Sequence, residues 1–347
     1  MADGIPKMAE GPRELRDPAG FPSLAAGHEL ARIPQLKPRD NQEAIAAGLD
    51  FLFASHRSQH WTDFCRLPEH SDAWVTAYVL ASLAEIPAGY LGFTGRQRLQ
   101  ESLEWLLDIQ GSDGGWGFNV RAESDAESTA WVVKALHGHH RAFHESAIRL
   151  IERCRRPDGG FGAFAPESPS GRAWTLGSPD VTAVVISAFG GSDPLAADFL
   201  RSCWLQTNRP LPAFRIQSRF YTCALVLEWE EPEGSWPVLE KLCELMSWNK
   251  ADNAFDQALL LRCLTRLQIQ KSGSVAAGLR RLQRFDGSWP ASASLTLAPG
   301  RGSDSEPAGD DKRIVSTAAA VSALARYEST SSSIAGAFVS PAKIGGW

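Results

Sequence analysis

The chain has 347 residues, 44% of them hydrophobic and 22% charged, with a formal net charge of -5. This is an ordinary globular composition, long enough to bury a large core as one big domain or two medium ones. It excludes the strongly basic face that general nucleic-acid binding requires. No apolar run approaches the ~18 residues of a membrane span. The first residues, MADGIPKMAEGPREL, lack the apolar centre of a secretory signal. The expected location is therefore cytoplasmic, with peripheral membrane contact left open and the oligomeric state unread.

Residues 1–40 are rich in Pro, Gly and charge and read as an extended arm. From residue 41 two kinds of predicted helix alternate six times. The first kind is amphipathic: NQEAIAAGLDFLFASH, RQRLQESLEWLLDIQ, ESAIRLIERC, DPLAADFLRSCWLQ, SWPVLEKLCELMSW and SVAAGLRRLQRF. Their i, i+3, i+4 apolar spacing buries one side only. The second kind is apolar on most faces and rich in Ala and Thr: SDAWVTAYVLASLA, ESTAWVVKALHG, SPDVTAVVISAFGG, SRFYTCALVLEW, DNAFDQALLLRCLTRL and RIVSTAAAVSALARY. A helix apolar nearly all round belongs inside. Cys203, Cys223, Cys243 and Cys263 fall at equal spacing, about one helix plus its loop. Buried, reduced core thiols account for that better than a metal site.

Three joins between the two kinds of helix carry a turn signature: QGSDGGWGF, RRPDGGFGAF and QRFDGSWP. Glycine supplies the positive φ such turns need. Each unit is thus an outer helix, a glycine-aromatic turn and an inner helix. Six such hairpins predict an all-α fold, a single α6–α6 barrel over residues 41–327, with 328–347 as a tail. An open solenoid is the competing geometry. The segment Ala298–Arg313 is polar and interrupts the last hairpin; it reads as a lid or a disordered insert, in which Arg301, Lys312 and Arg313 could meet a diphosphate.

The joins resemble the QW repeat of squalene-hopene and oxidosqualene cyclases, roughly Q-x(2–5)-G-x-W. Gln110 to Trp116 and Gln283 to Trp289 match it best; Arg155 and Phe161 take the Gln and Trp places in the third join. The starts of the inner helices also look like that superfamily, which includes protein prenyltransferase β subunits. The resemblance implies a barrel with an aromatic-lined cavity for an isoprenoid, and a class II cyclase that protonates an alkene. Triterpene cyclases pair two such domains, whereas this chain has room for one.

That chemistry needs a carboxylic acid kept protonated in a dry pocket. The family places it in a D-x-D-D-T-A motif at the start of an inner helix. Asp125-Ala126-Glu127-Ser128-Thr129-Ala130 aligns with Glu127 in the donor slot, and Ser178-Pro179-Asp180-Val181-Thr182-Ala183 puts Asp180 in the same slot. Asp72-Ala73-Trp74-Val75-Thr76-Ala77 keeps only the first acid. Glu127, Asp180 and Asp125 are the candidate catalytic residues, and Asp72, Trp74, Trp131, Phe220, Tyr221 and Phe255 the candidate substrate contacts. The competing reading is helix capping, for which Asp, Ser and Thr are the preferred residues. It is strongest for Asp125 and Asp72. The ring faces would stabilise carbocations.

No metal or other cofactor is implied, with Mg²⁺ entering only alongside a diphosphate substrate. His140 and His144 share the i, i+4 spacing of a helical metal pair, although solvated turn histidines explain them as well. The expected partner is a hydrophobic isoprenoid. Two other readings stay open at this point: a barrel that binds a lipid or peptide without catalysis, and a carbohydrate-active α/α-barrel enzyme with Glu127 and Asp180 as its acid pair.

Overall fold

The computed structural model describes residues 39–65, 70–143, 145–169, 172–191, 193–206, 215–229, 251, 253–296 and 307–339. In chain order the helices are α1 (Asn41–Ser55), α2 (Ala73–Leu83), α3 (Ala88–Asp108), α4 (Ala126–Gly138), α5 (Glu145–Arg153), the single turn α6 (Arg172–Thr175), α7 (Pro179–Ala188), α8 (Pro194–Gln206), α9 (Tyr221–Trp229), α10 (Ala254–Arg266), α11 (Ser272–Arg281) and α12 (Ile314–Val339). The fold is mostly helical. A short antiparallel pair, β1 (Ser294–Leu295) and β2 (Ala308–Gly309), pairs Ser294 with Gly309. Ile216 bridges onto Leu295, so the loop before α9 is stitched to the same ladder.

The helices rich in Ala and Thr are the inner ones. Packing runs α2 to α4, α4 to α7, α7 to α9, α9 to α10, α10 to α12, and α12 back to α2. Every residue of α2 is buried, as a helix apolar on all faces must be. Around this ring α1, α3, α5, α8 and α11 present one buried stripe each; in α5 it is Ala147, Leu150 and Ile151. The segment Ser235–Trp248, expected as a further outer helix, lies outside the described residues. The last inner helix continues past Tyr327 to Val339, into the span expected to be a tail. An unbroken run without Pro or a glycine stop explains the continuation until Gly336.

The joins share one geometry. In each, the inner-helix threonine accepts the backbone N–H of the aromatic residue, and a tryptophan there also closes the end of the outer helix. Trp116 Nε1 donates to Leu106 O at 2.6 Å, and Trp116 N donates to Thr129 Oγ1 at 3.0 Å. Trp61 does the same with Leu52 O and Thr76 Oγ1, and Trp289 with Leu279 O and Thr317 Oγ1. Phe161 keeps the backbone half, to Thr182 Oγ1 at 2.9 Å, and Arg155 stacks on its ring at 4.3 Å. Gln110 and Gln283 donate to Gly114 O and Gly287 O inside their turns. The three tryptophan joins thus each bring an indole N–H to a carbonyl at the end of the outer helix.

The first and last repeats meet at a seam. The carboxylate of Asp63 accepts from Phe64 N (2.9 Å), Lys312 N (2.9 Å) and Ile314 N (2.8 Å), capping α12 from the far end of the chain. Asp310 accepts from Ser292 N, Ala293 N and Ser316 N. Both are fully buried. Burial pushes the Asp310 carboxyl up, Asp63 beside it adds to this, and it stands at about 7.

At the same seam α1 approaches α12 through Gly48. A Cβ there would lie 2.4 Å from Val321 Cγ2 and 2.9 Å from Trp289 Cζ3. Gly48→Val is expected to destabilise the fold by about 3 kcal/mol through overpacking, read as a lower urea midpoint. Val321→Ala in the same chain should recover part of the loss. An unchanged midpoint in Gly48→Val would contradict so close a contact.

Candidate active site

The inner helices begin at one end of the ring, and the first turns of α4, α7 and α10 carry acids. Asp125 caps α4, accepting from Ser128 N at 2.9 Å and Ser128 Oγ at 2.7 Å. Glu127 follows in the first turn of α4 and Asp180 in the first turn of α7. Asp180 Oδ1 accepts from Val181 N at 3.0 Å and from Ser178 Oγ. Its Oδ2 accepts from Arg215 N at 3.1 Å. The side chain of Arg215 then turns in among the acids. Its Nη1 lies 2.6 Å from Asp125 Oδ1 and 3.1 Å from Glu127 Oε2. The guanidinium also lies 5.7 Å from the centre of the Trp174 ring. Arg215 is 2% exposed, Asp125 1%, and Glu127 and Asp180 0%.

One fixed cation thus faces three buried carboxyl groups. Burial is the largest influence on Glu127 and pushes it up. Arg215 opposes, Asp180 and Asp125 push further up, and the Tyr221 hydrogen bond pulls down; the balance is about 7. Arg215 itself is held firmly charged by its acids against burial. Glu127 Oε2 and Arg215 Nε make no hydrogen bond of acceptable geometry among the described residues. The 3.1 Å approach is therefore an ion contact rather than a directed bond.

Beneath Glu127 lies a layer of rings. Tyr221 donates its hydroxyl to Glu127 Oε1 at 3.3 Å and accepts from Trp131 Nε1 at 2.9 Å. Tyr78 packs on Trp131 at 4.9 Å and stacks on Trp74 at 5.3 Å, with Phe255 6.4 Å away. Below the layer the charges recur. Lys134 lies two helical turns beyond Glu127, about 10 Å along the axis of α4. It pairs with Glu228, which also pairs with Arg262 at 2.5 Å and accepts from Ser187 Oγ at 2.6 Å. Burial raises Glu228, but Lys134 and Arg262 outweigh it and hold the carboxyl at about 2. Between rings and charges lies a cavity of about 20 Å³, the room of a single water.

The expected acids come together around Arg215, Asp125 and Glu127 at its guanidinium and Asp180 at its backbone N–H. Trp74, Trp131, Tyr221 and Phe255 come together in the ring layer. Asp72 and Phe220 do not join them. Asp72 caps α2, accepting from Ala73 N at 2.6 Å and Val120 N at 3.1 Å, a loop-fastening role. Phe220 is buried, and among the described residues its ring stacks on none of these. Asp125, Glu127 and Asp180 are buried, and a small cavity lies on the other side of the rings, beside Lys134 and Arg262. In the expected lid, residues 297–306 lie outside the described residues. So does His144; among the described residues no group of three His, Cys, Asp or Glu could hold a metal, and no helix could cross a membrane.

The sequence reading missed Arg215, Tyr78 and the Lys134–Glu228–Arg262 set. Three acids at the starts of buried helices require a cation, but Arg121, Arg172, Arg215 and Arg219 all precede such helices, and nothing local singles out Arg215.

No family model matches the chain. Over 65 residues it is 38% identical to drimenyl diphosphate synthase of Streptantibioticus cattleyicolor, covering 18% of this chain and only 12% of that enzyme's length. Among solved structures, a protein from Actinoplanes superposes with a TM-score of 0.72 at 24% identity, covering 83% of this chain and 100% of that one. The type II terpene cyclase MstE from Scytonema superposes at 0.71 and 23% identity, covering 84% and 100%. A form of MstE in complex with geranylgeranyl dihydroxybenzoate as substrate gives 0.71 and 23%, covering 84% and 97%. The likeness read from the glycine-aromatic joins therefore holds at the level of fold.

Removing the cation tests the electrostatic account. Arg215→Met should cost about 3–5 kcal/mol, because it strands buried carboxylates. The cost should shrink as pH falls from 8 to 5.5, since Glu127 then takes up a proton and stops repelling its neighbours. Urea titrations at both pH values check this; a loss that is small, or independent of pH, would contradict it.

Proposed function

We propose that this chain, which shares the fold of type II terpene cyclases, is a class II cyclase-like enzyme built as a single α6–α6 barrel of six helical hairpins. It would act on an isoprenoid or an isoprenoid-bearing molecule. The observation that carries the reading is Glu127: fully buried, at the donor slot, poised at about 7 and touching a layer of aromatic rings. A general acid works best with a pKa near the operating pH.

The residues divide the work as follows. Glu127 gives its proton to an alkene carbon of the substrate, leaving a carboxylate beside Arg215. Arg215 stabilises that carboxylate and so favours the transfer. Asp125 orients the guanidinium and Asp180 holds its backbone. The cation left on the substrate moves into the aromatic layer, where the faces of Trp131, Tyr221, Tyr78 and Trp74 stabilise positive charge. Ring closure followed by loss of one proton leaves a product of unchanged mass, so the reaction is an isomerisation. The chemistry needs no cofactor, and Mg²⁺ enters only with a diphosphate substrate. A cytoplasmic location fits this reading.

The small interior volume favours a second reading. A cavity of about 20 Å³ admits no isoprenoid until the Tyr78–Trp131–Tyr221 layer parts. A barrel that binds a lipid without turning it over is the alternative.

Incubation with prenylated substrates and mass spectrometry of the products separates the two. A cyclised product of unchanged mass is expected, and Glu127→Gln should lower its formation at least about 100-fold while the melting curve is kept. Full turnover by that variant, or binding without product, would sink the cyclase reading. The pH profile gives a second check. Glu127 acts only when protonated, so turnover should fall as pH rises through about 7. A flat profile from pH 6 to 9 would count against it.

A further inference from the structure

The seam between the first and last repeats carries a feature that the interior chemistry does not use. A cleft of about 550 Å³ opens there, lined by the end of α1, the loop that follows it and the residues leading into α12. Its volume is within the roughly 300–1,000 Å³ typical of small-molecule sites. Arg57, His60, Lys312 and Arg313 line it, and among its described lining residues Asp311 is the one carboxylate.

The partners of these groups matter more than their number. Arg57 Nη1 donates to two backbone carbonyls, Ala54 O at 2.5 Å and His56 O at 2.8 Å. Lys312 Nζ donates to the hydroxyl of Thr62. Both cations have only neutral partners among the described residues. Other exposed arginines are of both kinds: Arg149 pairs with Glu145 and Arg201 with Asp198, while Arg96 meets a backbone carbonyl. Arg313 pairs with Asp286 at 2.7 Å and lies 5.1 Å over the Phe51 ring, which holds it against one wall. His60 is fixed by Ser58 O at 2.8 Å and stacks on Trp105 at 4.4 Å.

The loop is shaped to turn polar groups outward. His60 and Thr62 line the cleft while Trp61 between them is fully buried. Ser58, Gln59 and Arg313 adopt left-handed backbone angles, with φ of 48°, 72° and 66°. Such strain in non-glycine residues costs energy and collects at ligand-holding sites. The backbone N–H groups of Lys312 and Ile314 are already taken by Asp63. A ligand would therefore be held by side chains alone.

We propose that this seam cleft binds a compact polyoxyanion of the diphosphate class. Two cations with neutral partners, a third fixed by a ring, and the hydroxyls of Thr62 and Ser58 match several anionic oxygens at once. The anion is either free diphosphate or the head group of a prenyl diphosphate. The site is separate from Glu127, and its existence does not depend on the cyclase reading.

Isothermal titration with inorganic diphosphate tests it, in EDTA so that no metal bridges. Wild-type protein should bind one equivalent, with affinity falling as salt is raised. The double variant Arg57→Gln/Lys312→Gln should bind at least about tenfold more weakly. The control pair Arg149→Gln/Arg201→Gln removes the same charge elsewhere and should stay within about twofold. Both pairs are exposed, and melting curves verify the fold. A parallel titration with geranyl diphosphate distinguishes the sources. Tighter binding that the cleft variant abolishes marks a head-group site; binding no tighter than that of inorganic diphosphate marks a free-anion site. No saturable binding of inorganic diphosphate at millimolar concentration, or equal losses from both variant pairs, would overturn the proposal.

Discussion

Parallel helices packed around one axis bring all their N-termini to the same end, and their dipoles with them. Each helix start carries about half a positive charge, so this end must be supplied with acids. Asp72, Asp125, Glu127, Asp180, Asp256, Asp63 and Asp310 are all found there, most of them taking backbone N–H groups. The opposite end requires cations for the same reason. Lys134, Arg262 and Arg266 stand in the later turns of their helices. The charge layout of the interior is thus first a consequence of ring geometry.

The candidate acid emerges where that pattern is overfilled. A single N-cap acid per helix stabilises and is stabilised. Two acids on α4 plus one on α7, within reach of one another, cannot all ionise away from water. Arg215 relieves part of the excess and leaves one group near the middle of the pH scale. The same logic gives Asp310 its raised pKa beside Asp63, yet there every carboxylate oxygen is occupied by backbone donors. The pair at the seam fastens loops; the group around Arg215 keeps one carboxyl against the rings. Their difference lies in what faces the acid rather than in how buried it is.

How much of this was legible depends on whether the signal is local. The inner helices announced themselves through Ala and Thr on every face, and the joins through Gly followed by Trp or Phe. Both follow from residues adjacent in the chain. Thr129 and Thr317 even hint at their role, since each must meet the aromatic residue of its own join. Arg215 was not legible, because it lies in an aperiodic loop and gains meaning only from acids in two other repeats. Lys134 read as a polar position on a helix until α9 brought Glu228 to it. The burial of Glu127 is what a poised carboxyl requires, since water would return it to its ordinary pKa.

The clasp of Asp63 on the start of α12 spans 249 and 251 residues of sequence. During synthesis, the partner it needs is made 249 to 251 residues after Asp63 itself. Until then α2 lacks its neighbour α12, and an apolar wall meant for the interior stands open. Until α12 emerges, the growing chain is thus a crescent with two unfilled edges. Contacts of such long range also make folding slow. A ring of this kind gains its stability in one late step, and that interval is when it is most open to binding another crescent in place of itself.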